Sequence, residues 1–161
     1  MSTTTFTAIR AQQVSVLRAL LPSTREGERF EMAPTEELLE VYAAREESMA
    51  AVFRQFQIRD NHDTEPVVYC DLQTIRVAHT MNLDIAYPKL WAKYGRDNVV
   101  SMDDVVRSDF HQIDRAIGLT GNANWLAGQH ICEHVGGSFF DLQPSYLHRI
   151  VFRVEYERAL P

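Results

Sequence analysis

Over residues 74–87 the chain alternates: Ile75, Val77, Met81, Leu83, Ile85 and Tyr87 are apolar, and Thr74, Arg76, Thr80, Asn82 and Asp84 stand between them. A period of two sends successive side chains to opposite faces, so the pattern predicts a long strand with one buried face. The same period returns over residues 146–157, with Ile150, Phe152, Val154 and Tyr156 expected inward and Val151, Arg153, Glu155 and Glu157 outward. Shorter strands are expected over residues 52–59, where Val52, Phe56 and Ile58 alternate with Phe53, Gln55 and Gln57, and over residues 67–72. Another is expected over residues 129–135, followed by a turn at Gly136 and Gly137. Residues 28–32 read as a short strand or an extended arm.

A period near 3.6 marks the helices. Thr5 is placed to cap a helix reaching residue 21, with Phe6, Ile9, Val14, Leu17 and Leu20 or Leu21 on one stripe and Arg10, Gln12, Gln13 and Arg18 elsewhere. Pro22 stops it. Thr35, followed by Glu36 and Glu37 where a helix dipole favours carboxylates, opens a second helix continued by Leu38, Leu39, Tyr42 and Met49. Ser101 caps a third, carrying Asp103 and Asp104 in its first turn and Met102, Val105, Val106, Phe110, Ile113 and Ile117 at helical spacing. Gly118 is expected to end it in the left-handed conformation. Helices with one apolar face, laid on one face of a mostly antiparallel or mixed sheet, bury all of these stripes and give an α+β fold.

The chain has 161 residues, enough for one domain with a proper core, and residues 1–161 read as a single domain. An apolar fraction of 45% with 24% charged residues is that of a folding chain rather than a disordered one. The formal charge of −6 argues against non-specific nucleic-acid binding, which needs a surplus of Lys and Arg. Two cysteines, Cys70 and Cys132, are too few for a disulfide framework and read as free thiols of a reducing compartment. The first residues lack the basic and apolar regions of a signal peptide, and no stretch approaches the ~20 apolar residues of a membrane span. A protein that is cytoplasmic, or assembled from cytoplasm, is expected.

Candidate chemistry is sparse. His130, Cys132 and His134 share one face if their strand is regular, and all three side chains can ligate a transition metal. The competing reading has Cys132 packing as a small apolar residue with a histidine on either side. It is preferred because no further ligand is identifiable, although His148 on the next strand is close enough in sequence to approach. No metal and no cofactor is therefore expected. His79 on the apolar face of the long strand reads as a buried neutral histidine, and Asp60, His62 and Asp63 as the polar residues of a loop. Neither a nucleophile elbow nor a phosphate-cradling glycine loop is present, and the carboxylates of residues 36–47 read as a solvated helix face. No catalytic residue is assigned.

Aromatics off the regular stripes are more informative. Trp91, Tyr94, Trp125, Phe139, Phe140 and Tyr146 fall in loops or at strand ends, where they either cover the core or anchor a protein interface. The order of elements also carries a resemblance. An N-terminal amphipathic helix, a strand closing on Ile85-Ala86-Tyr87-Pro88, an Asp-rich helix over residues 101–117, a Trp125 loop and a last strand through Ile150-Val151-Phe152-Arg153-Val154-Glu155-Tyr156 resemble the tail terminator proteins of tailed bacteriophages and related neck components.

The resemblance implies a structural virion subunit, assembled in the host cytoplasm, that forms a ring, commonly a hexamer. Such a ring caps the tail tube and presents a second surface to the head-completion or connector protein. DNA would pass through its lumen without specific binding, and no membrane is involved. The loops over residues 60–66, 90–99 and 136–144 are the expected contacts, and an acidic lumen would keep DNA from sticking. Within the phage reading the nearest rival is another head-tail connector, head-completion or tube protein; outside it, the competing readings are a small metal-dependent hydrolase using His130 and His134, or an acidic binding module of the immunity-protein or antitoxin kind.

Overall fold

The computed structural model describes residues 4–24, 28–33, 54–60, 67–70, 73–88, 102–118, 125–126, 129–142 and 145–159, with the backbone alone for 67–70, His79 and His130. Among these residues the fold is α+β. A mixed sheet of six strands is backed by two helices.

The first helix, α1 (Phe6–Ala19), begins where sequence places it: the Thr5 hydroxyl accepts a hydrogen bond from the Ala8 N–H at 3.1 Å. Ile9 and Leu17 are buried, as the stripe predicts, but so is Gln13; of the two leucines offered for its end, Leu20 packs against the core and Leu21 is 65% exposed. The strands follow as β1 (Glu31–Met32), β2 (Gln55–Asp60), β3 (Val67–Cys70) and β4 (Thr74–Pro88). The second helix, α2 (Met102–Ile113), runs on into a wider turn of π type over Asp114–Gly118, and β5 (Gln129–Asp141) and β6 (Ser145–Ala159) complete the sheet. The helix expected after Thr35 lies outside the described residues, as do Ser101, Trp91 and Tyr94.

Across the sheet the order is β1-β2-β4-β6-β5, with β3 beside β4. Only β1 and β2 are parallel. The alternation fixes the faces: Val77, Met81, Leu83, Ile85 and Tyr87 of β4 sit opposite Tyr156, Phe152, Ile150, His148 and Tyr146 of β6, on the side covered by α1 and α2. Ile9, Leu17, Val105, Val106, Ile113 and Ile117 close the core over them. This is the buried face that sequence predicts.

The second face departs from the expectation of a solvated surface. Asp84 is fully buried there, and Gln57, Ala78, Ala86 and Glu155 are nearly so. Arg149 grips Asp84 through two hydrogen bonds of 2.8 Å, and Arg59 reaches the same carboxylate. Glu155 lies in ion-pair contact with Arg76 at 2.6 Å and Arg153 at 3.0 Å. A charged ladder thus covers the side that alternation assigned to water, because paired and hydrogen-bonded charges tolerate burial.

Two glycine expectations change. Gly118 does not take the left-handed conformation, and its reason is close packing: a Cβ there would meet Asp114 Oδ1 at 2.6 Å and the Phe152 ring at 3.1 Å. Gly136 and Gly137 do not form a turn but lie inside β5, opposite Val151 and Ile150. The hairpin closes later, where the Leu142 N–H donates to the Ser145 carbonyl at 2.9 Å.

Candidate functional site

Arg54 forms the most completely buried polar cluster. It stands at φ 63°, in the left-handed region, at the entry to β2, and none of its side chain reaches solvent. Its guanidinium donates to Asp109 Oδ2 at 2.5 Å and Oδ1 at 3.1 Å, to the Glu28 carbonyl at 2.8 Å and to the Thr24 carbonyl at 2.6 Å. Tyr87 donates its hydroxyl to the same carboxylate at 3.1 Å. Burial pushes the Asp109 carboxyl up, while the Arg54 bonds and charge pull it down; burial and the Asp109 charge push the Tyr87 phenol well up. The cluster joins α2 to the starts of two strands and the loop after α1. Arg54, Asp109 and Tyr87 are fully buried, and together they brace the interior.

Of the His130, Cys132 and His134 trio, the structure describes the side chains of Cys132 and His134. Cys132 is buried, and its Sγ accepts a hydrogen bond from Gln13 Nε2 at 3.4 Å. Desolvation pushes its thiol up to about 12. The ladder with β6 carries a bulge between Gln129 and Ile131. His134 meets the Phe110 ring edge-on at 4.9 Å, and His148 lies tilted 6.1 Å from the same ring. Among the described residues, no group of three His, Cys, Asp or Glu side chains is arranged to share an ion. His79 is paired with Val154 in the sheet; Asp60 ends β2; His62 and Asp63 lie outside the described residues.

What the fold does assemble is an open groove of about 400 Å³ beside the outer strand. Val106, Arg107 and Phe110 of α2 form one wall, and His134, Gly137, Ser138, Phe139 and His148 form the other. Burial, then the neighbouring His134, lower the His148 pKa, and its Nδ1 has no hydrogen-bond partner. Phe139 stacks on Tyr146 at 5.1 Å, while Phe140, on the other face, lies under the Arg149 guanidinium at 5.6 Å.

Among the described residues, β5 is also an edge of the sheet. Its second bulge, between His134 and Gly136, leaves Val135 unpaired and 49% exposed. Beyond it, residues 136–141 run regularly against β6, with Phe139 46% and Phe140 38% exposed. Exposed edges usually carry lysine, proline or an inward charge to block further pairing; Gly-Gly-Ser-Phe-Phe-Asp carries none before its last residue. Of the contacts expected from sequence, residues 137–141 of the 136–144 segment are exposed, on a strand rather than a loop, and residues 143–144 lie outside the described residues. Trp125 instead packs against the core. Adjacent Phe139 and Phe140 carried the missed signal, since a strand must turn one of two neighbouring side chains to each face.

The sequence matches no known protein-family model. No curated protein is significantly similar to it.

Proposed function

We propose that this chain is a structural subunit of a tailed-bacteriophage neck, of the tail terminator kind, acting by self-association and by docking onto other subunits and not by catalysis. The order of elements supports the phage assignment. The observation that carries the assembly reading is the aromatic edge of β5, which among the described residues has no further strand beside it and sets three exposed large apolar side chains at one margin of the sheet. The most deeply buried ionic cluster is consistent with this, because it braces the interior and offers nothing to a substrate.

On this reading the subunits close into a ring, expected to be a hexamer, that caps the tail tube on one face and meets the head-completion protein on the other. DNA passes through the centre without being bound. Purified protein mixed with tail tubes and imaged by electron microscopy tests it. Rings seated on tube ends are expected; tubes left bare at saturating protein would overturn the assignment.

A further inference from the structure

Among the described residues, the exposed large apolar side chains are Leu21, Met32, Val135, Phe139 and Phe140. They divide between the two margins of the sheet. Val135, Phe139 and Phe140 belong to β5, and Met32 belongs to β1, the strand at the opposite end. Leu21 lies one turn beyond Arg18, which lines a cleft with Phe30, Glu31 and Met32.

The pairing register shows that these margins are level with each other. One row across the sheet runs Met32, Phe56, Ile85, His148, Phe139, and the next runs Glu31, Gln55, Ala86, Leu147, Phe140. Met32 and Phe139 are thus the two ends of one row, on the same face. Strand directions also match: β1 runs with β2, and three antiparallel steps later β5 runs against it. A second copy set beside the first with its sheet continuing would bring its β1 antiparallel to β5.

Hydrogen-bonding groups fit the same placement. The bond from Leu142 N–H to the Ser145 carbonyl fixes the phase of the hairpin, so Gly137, Phe139 and Asp141 turn their N–H and C=O groups away from β6. On β1, the Glu31 and Ala33 N–H groups bond inward to the Arg54 and Phe56 carbonyls, which turns Phe30 and Met32 outward. Antiparallel pairing then sets Met32 of one copy against Phe139 of the next, and Phe30 against Asp141. Charges complement along that register. Asp141 meets the flank of the cleft that Arg18 lines, and Glu31 arrives beside Phe140 and the Arg149 guanidinium stacked on it.

We infer that β5 of one subunit pairs with β1 of a second copy, Phe139 on Met32, to give the head-to-tail contact of the assembly. This deepens the neck reading and rests on its premise of self-association. Two different surfaces meeting generate a ring when the rotation closes. The right-handed twist of the sheet supplies a rotation at every step.

Blocking one margin at a time tests it. Met32→Arg and Phe139→Arg both alter exposed side chains, so each variant should keep the wild-type circular dichroism. By light scattering after size exclusion, wild type should assemble, and each variant alone should be monomeric. An equimolar mixture should give a species of twice the monomer mass, because one intact margin of each kind remains. A mixture that stays monomeric, a Phe139→Arg variant that still self-associates, or a monomeric wild type would each overturn the inference. Should either variant unfold, Asp141→Arg should weaken assembly about tenfold, the scale of one charged contact, and Arg18→Asp should restore it; absence of rescue counts against the pairing. Rings on tube ends from a protein whose blocked variants do not complement would discard this interface and leave the neck assignment standing.

Discussion

Arg54 and Asp109 are joined by two hydrogen bonds, at 2.5 and 3.1 Å, where neither side chain has any exposure. Removing one member of such a pair strands the other charge in the interior. Asp109→Ala is therefore expected to cost about 3–5 kcal/mol. Tyr87→Phe removes only one neutral donor from the same carboxylate and should cost about 0.5–1.5 kcal/mol. Urea denaturation of the two variants checks both values, and their order is the sharper test. Equal losses would mean that the carboxylate is held by the phenol as firmly as by the guanidinium.

The neighbouring glycines of β5 separate space from flexibility. A Cβ at Gly137 would lie 2.5 Å from the Arg149 carbonyl oxygen, on the backbone of the adjacent strand, whereas one at Gly136 meets nothing within 4 Å. Gly137→Ala must push two strands apart and is expected to cost about 1–3 kcal/mol, as overpacking does. Gly136→Ala should stay within about 0.5 kcal/mol of wild type. Thermal melts of the pair measure the difference, and a tolerated Gly137→Ala would show that β5 is free to slide.

Much of the sheet was legible because β4 and β6 alternate over long stretches and their apolar side belongs to one core. Asp84, Glu155, Arg54, Asp109 and Gln13 were not, since polarity was taken as a sign of water. Their burial depends on partners far along the chain: Asp109 lies 55 positions from Arg54, and Arg149 lies 65 from Asp84. No local pattern announces such pairs. The glycine pair of β5 misled for a related reason, since Gly-Gly is a common turn signal and the need for close approach to Arg149 becomes visible only once the strands are paired. The packing of Cys132 as a small apolar residue was legible, whereas the bulge between Gln129 and Ile131 shows only once β5 and β6 are paired.

Cys132 gives a chemical test of the packing between α1 and β5. Its thiol, pushed up to about 12 by burial, would be ionised at pH 8 in about one molecule in ten thousand, and only the thiolate attacks alkylating reagents. Native protein treated with iodoacetamide and mapped by mass spectrometry should leave Cys132 unmodified, while protein in urea should be alkylated there. Rapid labelling in the native state would mean that the contact with Gln13 opens readily.

His148 supplies the pH dependence. Burial is the main cause of its lowered pKa, and the neighbouring His134 on the same wall of the groove adds to it, so the folded protein resists protonation more than the unfolded chain does. As pH falls below the ordinary histidine value of 6.5, the unfolded imidazole takes its proton first, and the stability this group contributes drains away until the folded pKa is passed. Stability should thus decline on acidification from about pH 6.5, histidine's reference pKa. In His148→Gln, which cannot titrate, that part of the slope should vanish while the slope due to the carboxylates at lower pH persists. Urea midpoints measured across this range for both proteins decide the point. Parallel slopes would assign the dependence to other groups and place His148 in freer contact with water than its packing against Phe110 and Phe139 implies.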